Sequence, residues 1–306
     1  MQNLNDIREQ ISVAFDSMSA NHRRIAVYLL DHPDEVALSS MREIAGRLNI
    51  DPSAFVRFAK KLSFSGYSEL REVFRDELKS ARTGYMERAR QIQKKGRQDK
   101  IGGLVSDLRL SSEANLDQLF EQNKLELIKA AADDMLKARN IYVVGMRSCF
   151  PVAFALHYSC RMIRRRVYLG DGLGGTFADG MRGIGSDDLF VVIGTHPYSR
   201  DTVLAADYAA GCGARILALT DSELSPLAAK ADYKLIFGHK GPLILGTIVP
   251  AIALVEALVA VMIAGGGKEA LATLGESDQQ LRNMHSYLPA TGFDRSRPGR
   301  TPGVGD

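Results

Sequence analysis

The chain has 306 residues, 45% of them hydrophobic and 25% charged, and its 39 Lys and Arg against 36 Asp and Glu leave a net charge of +3. That length fits two domains, and that balance excludes a chain disordered throughout. So small a net charge also excludes bulk electrostatic coating of nucleic acid, and three scattered cysteines (Cys149, Cys160, Cys212) make neither a disulfide framework nor a zinc spacing. A reducing compartment is expected. The opening residues, MQNLNDIREQ, carry charges and no apolar stretch, so no secretory leader is expected.

The charge is unevenly placed. Residues 1–80 hold 11 Lys/Arg and 12 Asp/Glu, a net of −1, and residues 81–100 hold 7 and 2, a net of +5. The rest holds 21 and 22, again a net of −1. The Gln- and Arg-rich stretch 81–100 therefore marks a compositional break and reads as a basic, solvated linker that starts as helix.

Before the break every segment reads as helix. Ile7, Ile11, Ala14, Phe15 and Met18 share one face of a helix over 4–18. Asn21 is the expected N-cap of a second helix that runs to about Leu30 and is ended by His32-Pro33. In 40–62, Met41, Ile44, Ala45 and Leu48 form one stripe, and Ala54, Phe55, Phe58, Ala59 and Leu62 form another. Between them lies the short turn Asn49-Ile50-Asp51, with Asp51 as a good N-cap and Pro52 at the first helical position, where its missing N–H costs nothing. Two short helices around a tight turn make a helix-turn-helix. The outer face of the second presents Ser53, Arg57, Lys60 and Lys61, and 52–63 contains no acid. Such a face suits a major groove, its first residues toward base edges and its cations toward phosphates. Spacing alone leaves an ordinary helical hairpin with a solvated basic face equally open.

The run IDPSAFVRFAKKLSFSGYSEL resembles the RpiR-type helix-turn-helix of bacterial transcription regulators. Arg57, Phe58, Leu62, Phe64, Gly66 and Tyr67 stand at the places of that pattern. The chain departs from it with Asp51 for Ser, Ala54 for Thr and Ser63 for Gly. The aromatics Phe58, Phe64 and Tyr67 are read as core, not as DNA contacts.

After the break the pattern changes to short β-branched runs at 141–144, 166–169, 188–193, 214–219 and 233–236, separated by helical stretches. Strand alternating with helix argues for a parallel sheet covered on both faces. The first strand exits into Gly145-Met146-Arg147-Ser148 ahead of a helix, an arrangement that suits an anion site, although on its own it reads more simply as a plain tight turn. The other exits are Gly- or hydroxyl-bearing: Gly170–Gly175, Gly194–Thr202 with Ser199 as the expected cap of the next helix, and Thr220–Pro226. In an open parallel sheet, ligands sit at these carboxyl ends. The apolar stretch 243–264, interrupted by Pro250 and Glu256, reads as one buried helix in the core or a subunit interface and not as a membrane span.

This half resembles the SIS (sugar isomerase) domain, on Gly145-x-x-Ser148, on Thr220-Asp221-Ser222 with Ser225-Pro226-Leu227, and on Ala231-Asp232. Pattern and resemblance together imply an all-α helix-turn-helix domain (1–80), a basic helical linker (81–124) and an α/β SIS domain of five parallel strands in flavodoxin-like order with helices on both faces (125–285); the Gly-, Pro- and Arg-rich tail (286–306) has almost nothing to bury and is expected to be disordered. It implies a phosphate cradle built from a hydroxyl after the first strand and a Ser-x-Ser-Gly-x-Thr loop after a later one. Ser148 matches the first element. In the second, Gly194, His196 and Pro197 replace Ser, Ser and Gly, and Ser199 alone keeps a hydroxyl, in place of Thr. The candidate ligand residues are Arg147, Ser148, His196, Tyr198, Ser199, Thr202, Thr220 and Ser222. Among possible bases, His196 and Glu223 lie on ligand-side loops, while His157, His239 and Glu256 have structural readings. Cys149 is read as a buried structural thiol.

The expectation is thus a cytoplasmic, ligand-responsive regulator with no catalytic residues, cofactor or metal. Its expected partners are double-stranded DNA with a pseudo-palindromic operator, a small effector (a sugar phosphate or a different small metabolite), and a second copy in a homodimer or tetramer, with no membrane. The alternatives are a sugar-phosphate isomerase and a sensor that regulates a protein partner without DNA.

Overall fold

Helix α1 (Leu4–Ala14) opens the chain in the computed structural model, which is described here for residues 4–82, 85–98, 100–239 and 241–288. It is followed by α2 (Ala20–Asp31), α3 (Pro33–Leu38), α4 (Met41–Leu48), α5 (Pro52–Lys61) and α6 (Tyr67–Arg82). The N-cap of α2 is Ser19, not Asn21: the Ser19 hydroxyl accepts the His22 N–H at 3.3 Å, so the helix starts two residues earlier and Asn21 lies inside it. These six helices share one core. Ile7, Ile11, Ile25, Leu29, Ile44, Phe55, Phe58 and Leu70 are all fully buried. Each such side chain is worth about 1.5–3 kcal/mol relative to exposure. Phe55 and Tyr67 meet edge to face with centroids 5.5 Å apart, a geometry favoured by the aromatic quadrupole.

The segment 81–124 contains α7 (Tyr85–Gln98) and α8 (Lys100–Gln122), which pack against each other and are tied by a Lys95–Asp107 ion pair. The end of α8 belongs to the sheet domain. Leu119 is fully buried in its core. Asn123 then reaches the backbone of Ile236, donating to its carbonyl at 2.6 Å and accepting its N–H at 2.8 Å. That side chain satisfies the outer edge of the last strand, where an open edge would leave backbone groups unpaired.

The sheet is formed by β1 (Ile141–Val144), β2 (Val167–Leu169), β3 (Leu189–Gly194), β4 (Arg215–Thr220) and β5 (Tyr233–Ile236). All pairings are parallel in the order β2-β1-β3-β4-β5. Every residue of β3 is buried, as a central strand covered on both faces requires. Helices α9 (Leu125–Lys137), α10 (Phe150–Ile163) and α12 (Val249–Gly265) share one core with the sheet, while α11 (Arg200–Gly211) packs on the other face through Ala205, Ala206 and Ala209. At the amino ends of the strands, the fully buried Asp188 side chain ties the turn before β3 to the segment before β1. It accepts from Arg139 at 2.8 and 3.0 Å, from Asn140 at 2.8 Å and from the Gly185 N–H at 2.9 Å.

The stretch 243–264 is not one helix. Residues 243–248 are irregular, with Gly246 at φ 76°, and α12 begins only at Val249. The reason is Pro250: its ring would break a helix interior but suits the first turn. Leu254, Val255, Leu258 and Met262 are buried within the chain's own core, and Glu256 is exposed. Among the described residues no single helix is long and apolar enough to cross a membrane, and α12 turns by 114° into α13 (Gly267–Asn283). Most of the expected tail, residues 289–306, lies outside the described residues, as do residues 83, 84 and 99 of the expected linker.

Candidate functional site

Two sites emerge, one in each half. In the first, α4 starts with a capping box: the Ser40 N–H donates to the Glu43 carboxylate at 2.6 Å, and the Glu43 N–H donates to the Ser40 hydroxyl at 3.3 Å. Asn49 ends α4 in the left-handed region at φ 50°, which Asn tolerates, and the Ile50 N–H returns to the Ala45 carbonyl at 3.0 Å. Asp51 then caps α5 by accepting the Ser53 N–H at 2.7 Å. The cap, the tight reversal and the buried stripe Ala54, Phe55, Phe58 and Ala59 together fix which side of α5 faces out. Ser53, Arg57, Lys60 and Lys61 are all on that exposed side. The Arg57 guanidinium donates to the Ser53 hydroxyl at 2.9 Å, and Lys61 Nζ lies 3.5 Å from Ser17 O.

No pattern in the residues points to His22. It sits edge-on to Phe58, 5.6 Å away, beneath the basic face. Burial, then the charges of Lys61 and Arg57, hold its pKa below the usual histidine range. The neutral ring thus adds no charge at neutral pH, and Arg57, Lys60 and Lys61 carry the positive field of this face.

The second site lies at the carboxyl ends of the sheet. β1 and β3 are neighbours, but the chain runs from them to opposite sides, which opens a crevice. Gly145 makes the crevice possible: a Cβ there would stand 3.0 Å from the Cys149 carbonyl and 3.2 Å from Ile193 Cβ. The chain then passes through Arg147, exposed and at φ 56°, and half-buried Ser148 before α10 begins. Cys149 Sγ lies 3.8 Å from Thr195 Oγ1, linking the first exit to the third. Burial pushes the Cys149 thiol up, which suits a structural role.

After β3, the loop from Gly194 to Ser199 contains a cis His196–Pro197 peptide. Ser199 occupies the N-cap of α11 but its side chain caps nothing. The expected cap by the Ser199 hydroxyl is therefore absent. Thr202, one turn in, is 1% exposed, and its hydroxyl has no hydrogen-bond partner among the described residues. Thr220, at the end of β4, is fully buried, and the Ser222 hydroxyl accepts the Leu224 N–H at 3.2 Å. The exit after β2 is a separate surface turn in which Asp171 accepts the Leu173 N–H at 2.9 Å.

The residue that draws these loops together is Asp221. It accepts the Tyr198 hydroxyl at 2.6 Å, the His196 N–H at 3.1 Å and the Thr220 hydroxyl at 3.3 Å. His239 Nδ1, from the segment after β5, is 3.7 Å away. The candidates His196, Tyr198 and Thr220 thus converge through an acid that was not itself a candidate. Its signal was in plain view, between Thr220 and Ser222, but a carboxylate is not an obvious part of an anion site. His157, within α10, is half-buried, and burial followed by Arg161 lowers its pKa. Among the described residues no group of His, Cys, Asp and Glu is arranged to hold a metal ion.

A helix-turn-helix with an outward basic face, joined to a flavodoxin-like sheet with a hydroxyl-lined crevice, defines a DNA-binding regulator with a small-molecule domain. Residues 5–81 match the helix-turn-helix domain of the rpiR family, and residues 134–261 match the SIS domain. An HTH-type transcriptional regulator of Haemophilus influenzae is 23% identical over 266 residues, covering 85% of this chain and 91% of the relative. The sugar isomerase domain of an RpiR transcription factor from Sphaerobacter thermophilus is 31% identical, with a TM-score of 0.55, covering 57% of this chain and 98% of that one. The Vibrio vulnificus NanR protein, solved with ManNAc-6P, shares the fold at 17% identity and a TM-score of 0.54, covering 92% of this chain and 98% of that one. The chain belongs to the RpiR family of transcription regulators, with a helix-turn-helix domain followed by a SIS domain.

Proposed function

We propose that the SIS domain binds a small phosphorylated sugar or a closely related anionic metabolite, and that this binding alters how a cytoplasmic homodimer engages a pseudo-palindromic operator. One observation carries the ligand class: the start of α11 has no side-chain cap, and beside it the buried Thr202 hydroxyl lacks a partner among the described residues. Free helical N–H groups and the helix dipole favour an anion, and an unused buried hydroxyl costs stability unless something bonds to it. In this reading Ser199, Thr202 and the first N–H groups of α11 hold the phosphate. Arg147 and Ser148 close on it from the β1 exit, and His196, Tyr198, Thr220 and Ser222 face the rest of the molecule. The NanR structure with its bound sugar phosphate supports the same ligand class on the same fold.

Ser53, Arg57, Lys60 and Lys61 meet DNA. The two α5 helices of a dimer would enter major grooves about 34–36 Å apart, one helical turn. An effector changes DNA affinity only by its differential affinity for the two arrangements of the dimer. The chain regulates and does not catalyse, in keeping with its regulator relatives.

A thermal-shift series of sugars against their phosphates tests the ligand class. A phosphate-dependent rise in midpoint, lost in Thr202→Val and in Ser148→Ala, is expected. An equal rise with the unphosphorylated sugars would refute it. Turnover of any of these sugar phosphates would overturn the non-catalytic reading.

A further inference from the structure

The loop after β4 touches both halves of the molecule. At one end, Asp221 lies in the crevice with its side chain 3% exposed, bound by the His196 N–H and the Tyr198 and Thr220 hydroxyls. Three residues further on, Leu224 packs against the hydrophobic core of the helix-turn-helix domain. Among the described residues it is the one member of that cluster drawn from outside residues 4–74.

The piece between these ends is stiff. The Ser222 hydroxyl accepts the Leu224 N–H at 3.2 Å, the Ser222 carbonyl accepts the Ser225 N–H at 3.1 Å, and the Ser225 hydroxyl accepts the Ala228 N–H at 3.0 Å. Ser225 is itself 2% exposed. Serine-based turns of this kind favour a fixed local backbone, which would let a shift at Asp221 reach Leu224.

The chemistry at the first end is competitive. Two donors of the β3 loop, the His196 N–H and the Tyr198 hydroxyl, are already held by an internal carboxylate. An effector oxygen that takes either donor does so at the expense of Asp221, and a phosphate nearby adds like-charge repulsion. We propose that Asp221 is a built-in stand-in for the effector's anion, and that the 220–226 loop is a lever: an effector that displaces Asp221 withdraws Leu224 from the DNA-binding domain. Leu224 in place holds that domain against the sensor, and Leu224 withdrawn lets it reorient. The proposal rests on the crevice being the effector site, but its test needs neither effector nor DNA.

The test is hydrogen exchange on the full chain, comparing wild type with Leu224→Ala, Asp221→Ala and the double variant. Leu224→Ala should speed exchange several-fold in the peptides of α1–α6 that pack on it and leave 194–199 unchanged. Asp221→Ala should speed exchange at 194–199 and in the same N-terminal peptides, and the double variant should add nothing there beyond Asp221→Ala. Faster exchange at 194–199 with N-terminal peptides at the wild-type level would overturn the lever, as would a Leu224→Ala chain indistinguishable from wild type. Should Asp221→Ala lose the sheet domain's thermal transition, Tyr198→Phe, which removes one of the donors to Asp221, replaces it with the same expected pattern. Failure of the crevice reading would instead show as no shift of the thermal midpoint with any of the sugars or sugar phosphates, with the exchange pattern intact.

Discussion

Salt dependence of DNA binding offers the sharpest check on the exposed face of α5. Lys60 is exposed and makes no ion pair among the described residues, so its charge is available to a phosphate. A protein that neutralises phosphates releases counterions, and log K falls with log salt by about 0.9 per contact on duplex DNA. The proposed dimer would present Lys60 twice, so Lys60→Ala should flatten the slope by about 1.8. Between about 50 and 200 mM salt, a fourfold change, that difference amounts to roughly tenfold in relative affinity, with wild type and variant converging as salt rises. Arg57→Ala should behave alike at phosphates and in addition lose its bond to Ser53, so sequence preference should relax if that pair reads a base. Fluorescence anisotropy with labelled upstream DNA at several salt concentrations measures the slopes. The thermal midpoint and mass of the assembly should not move, because neither side chain is part of the core. An unchanged slope in both variants would place the DNA interface on another surface.

Three further outcomes follow from packing and charge. Phe58 is fully buried between α2 and α5, so Phe58→Ala should cost about 3–5 kcal/mol in the N-terminal unfolding transition; a urea midpoint close to wild type would mean the site collapses around the cavity. A Cβ at Gly194 would stand 2.7 Å from the fully buried Leu227 Cδ1, so Gly194→Ala should destabilise the sheet domain by about 1–3 kcal/mol, read by thermal unfolding, and an unaltered midpoint would show that Leu227 yields freely. Burial alone would raise the Asp188 pKa, but Arg139, the Gly185 N–H and Asn140 outweigh it and hold the carboxyl below the usual range. Its stabilisation is therefore complete above the unfolded carboxylate value of about 4 and is lost as pH falls through the lower folded value. Asp188→Asn should cost about 2 kcal/mol at neutral pH and remove part of the acid slope of the stability curve; an unchanged slope would assign acid unfolding to other carboxylates.

Much of this protein was legible from its residues because the signals are local. The turn Asn49-Ile50-Asp51-Pro52 and the stripe Ala54, Phe55, Phe58 and Ala59 specify a helix-turn-helix and its outward face within about a dozen residues. The β-branched runs specify five strands, and their spacing by helices dictates a parallel sheet with exits along one edge. The reading strayed where a local signal had two outcomes: Ser19 and not Asn21 caps α2, Pro250 starts a helix instead of interrupting one, and Ser199 stands at the N-cap of α11 without capping it.

The chain's net charge of +3 hides a basic face that sequence alone could locate, since a helix turns its periodicity directly into an orientation. No such periodicity connects Asp221 to Tyr198, Leu224 to the N-terminal core, or Asn123 to Ile236. Those partners lie 23 residues apart in the first case and 113 in the last. They meet only because the parallel sheet brings successive strand ends side by side and α8 returns along its edge. Hydrophobic pattern and turn chemistry thus determined the elements and the two faces they present. Tertiary closure alone decided that an acid occupies the crevice and that its loop reaches the DNA-binding domain.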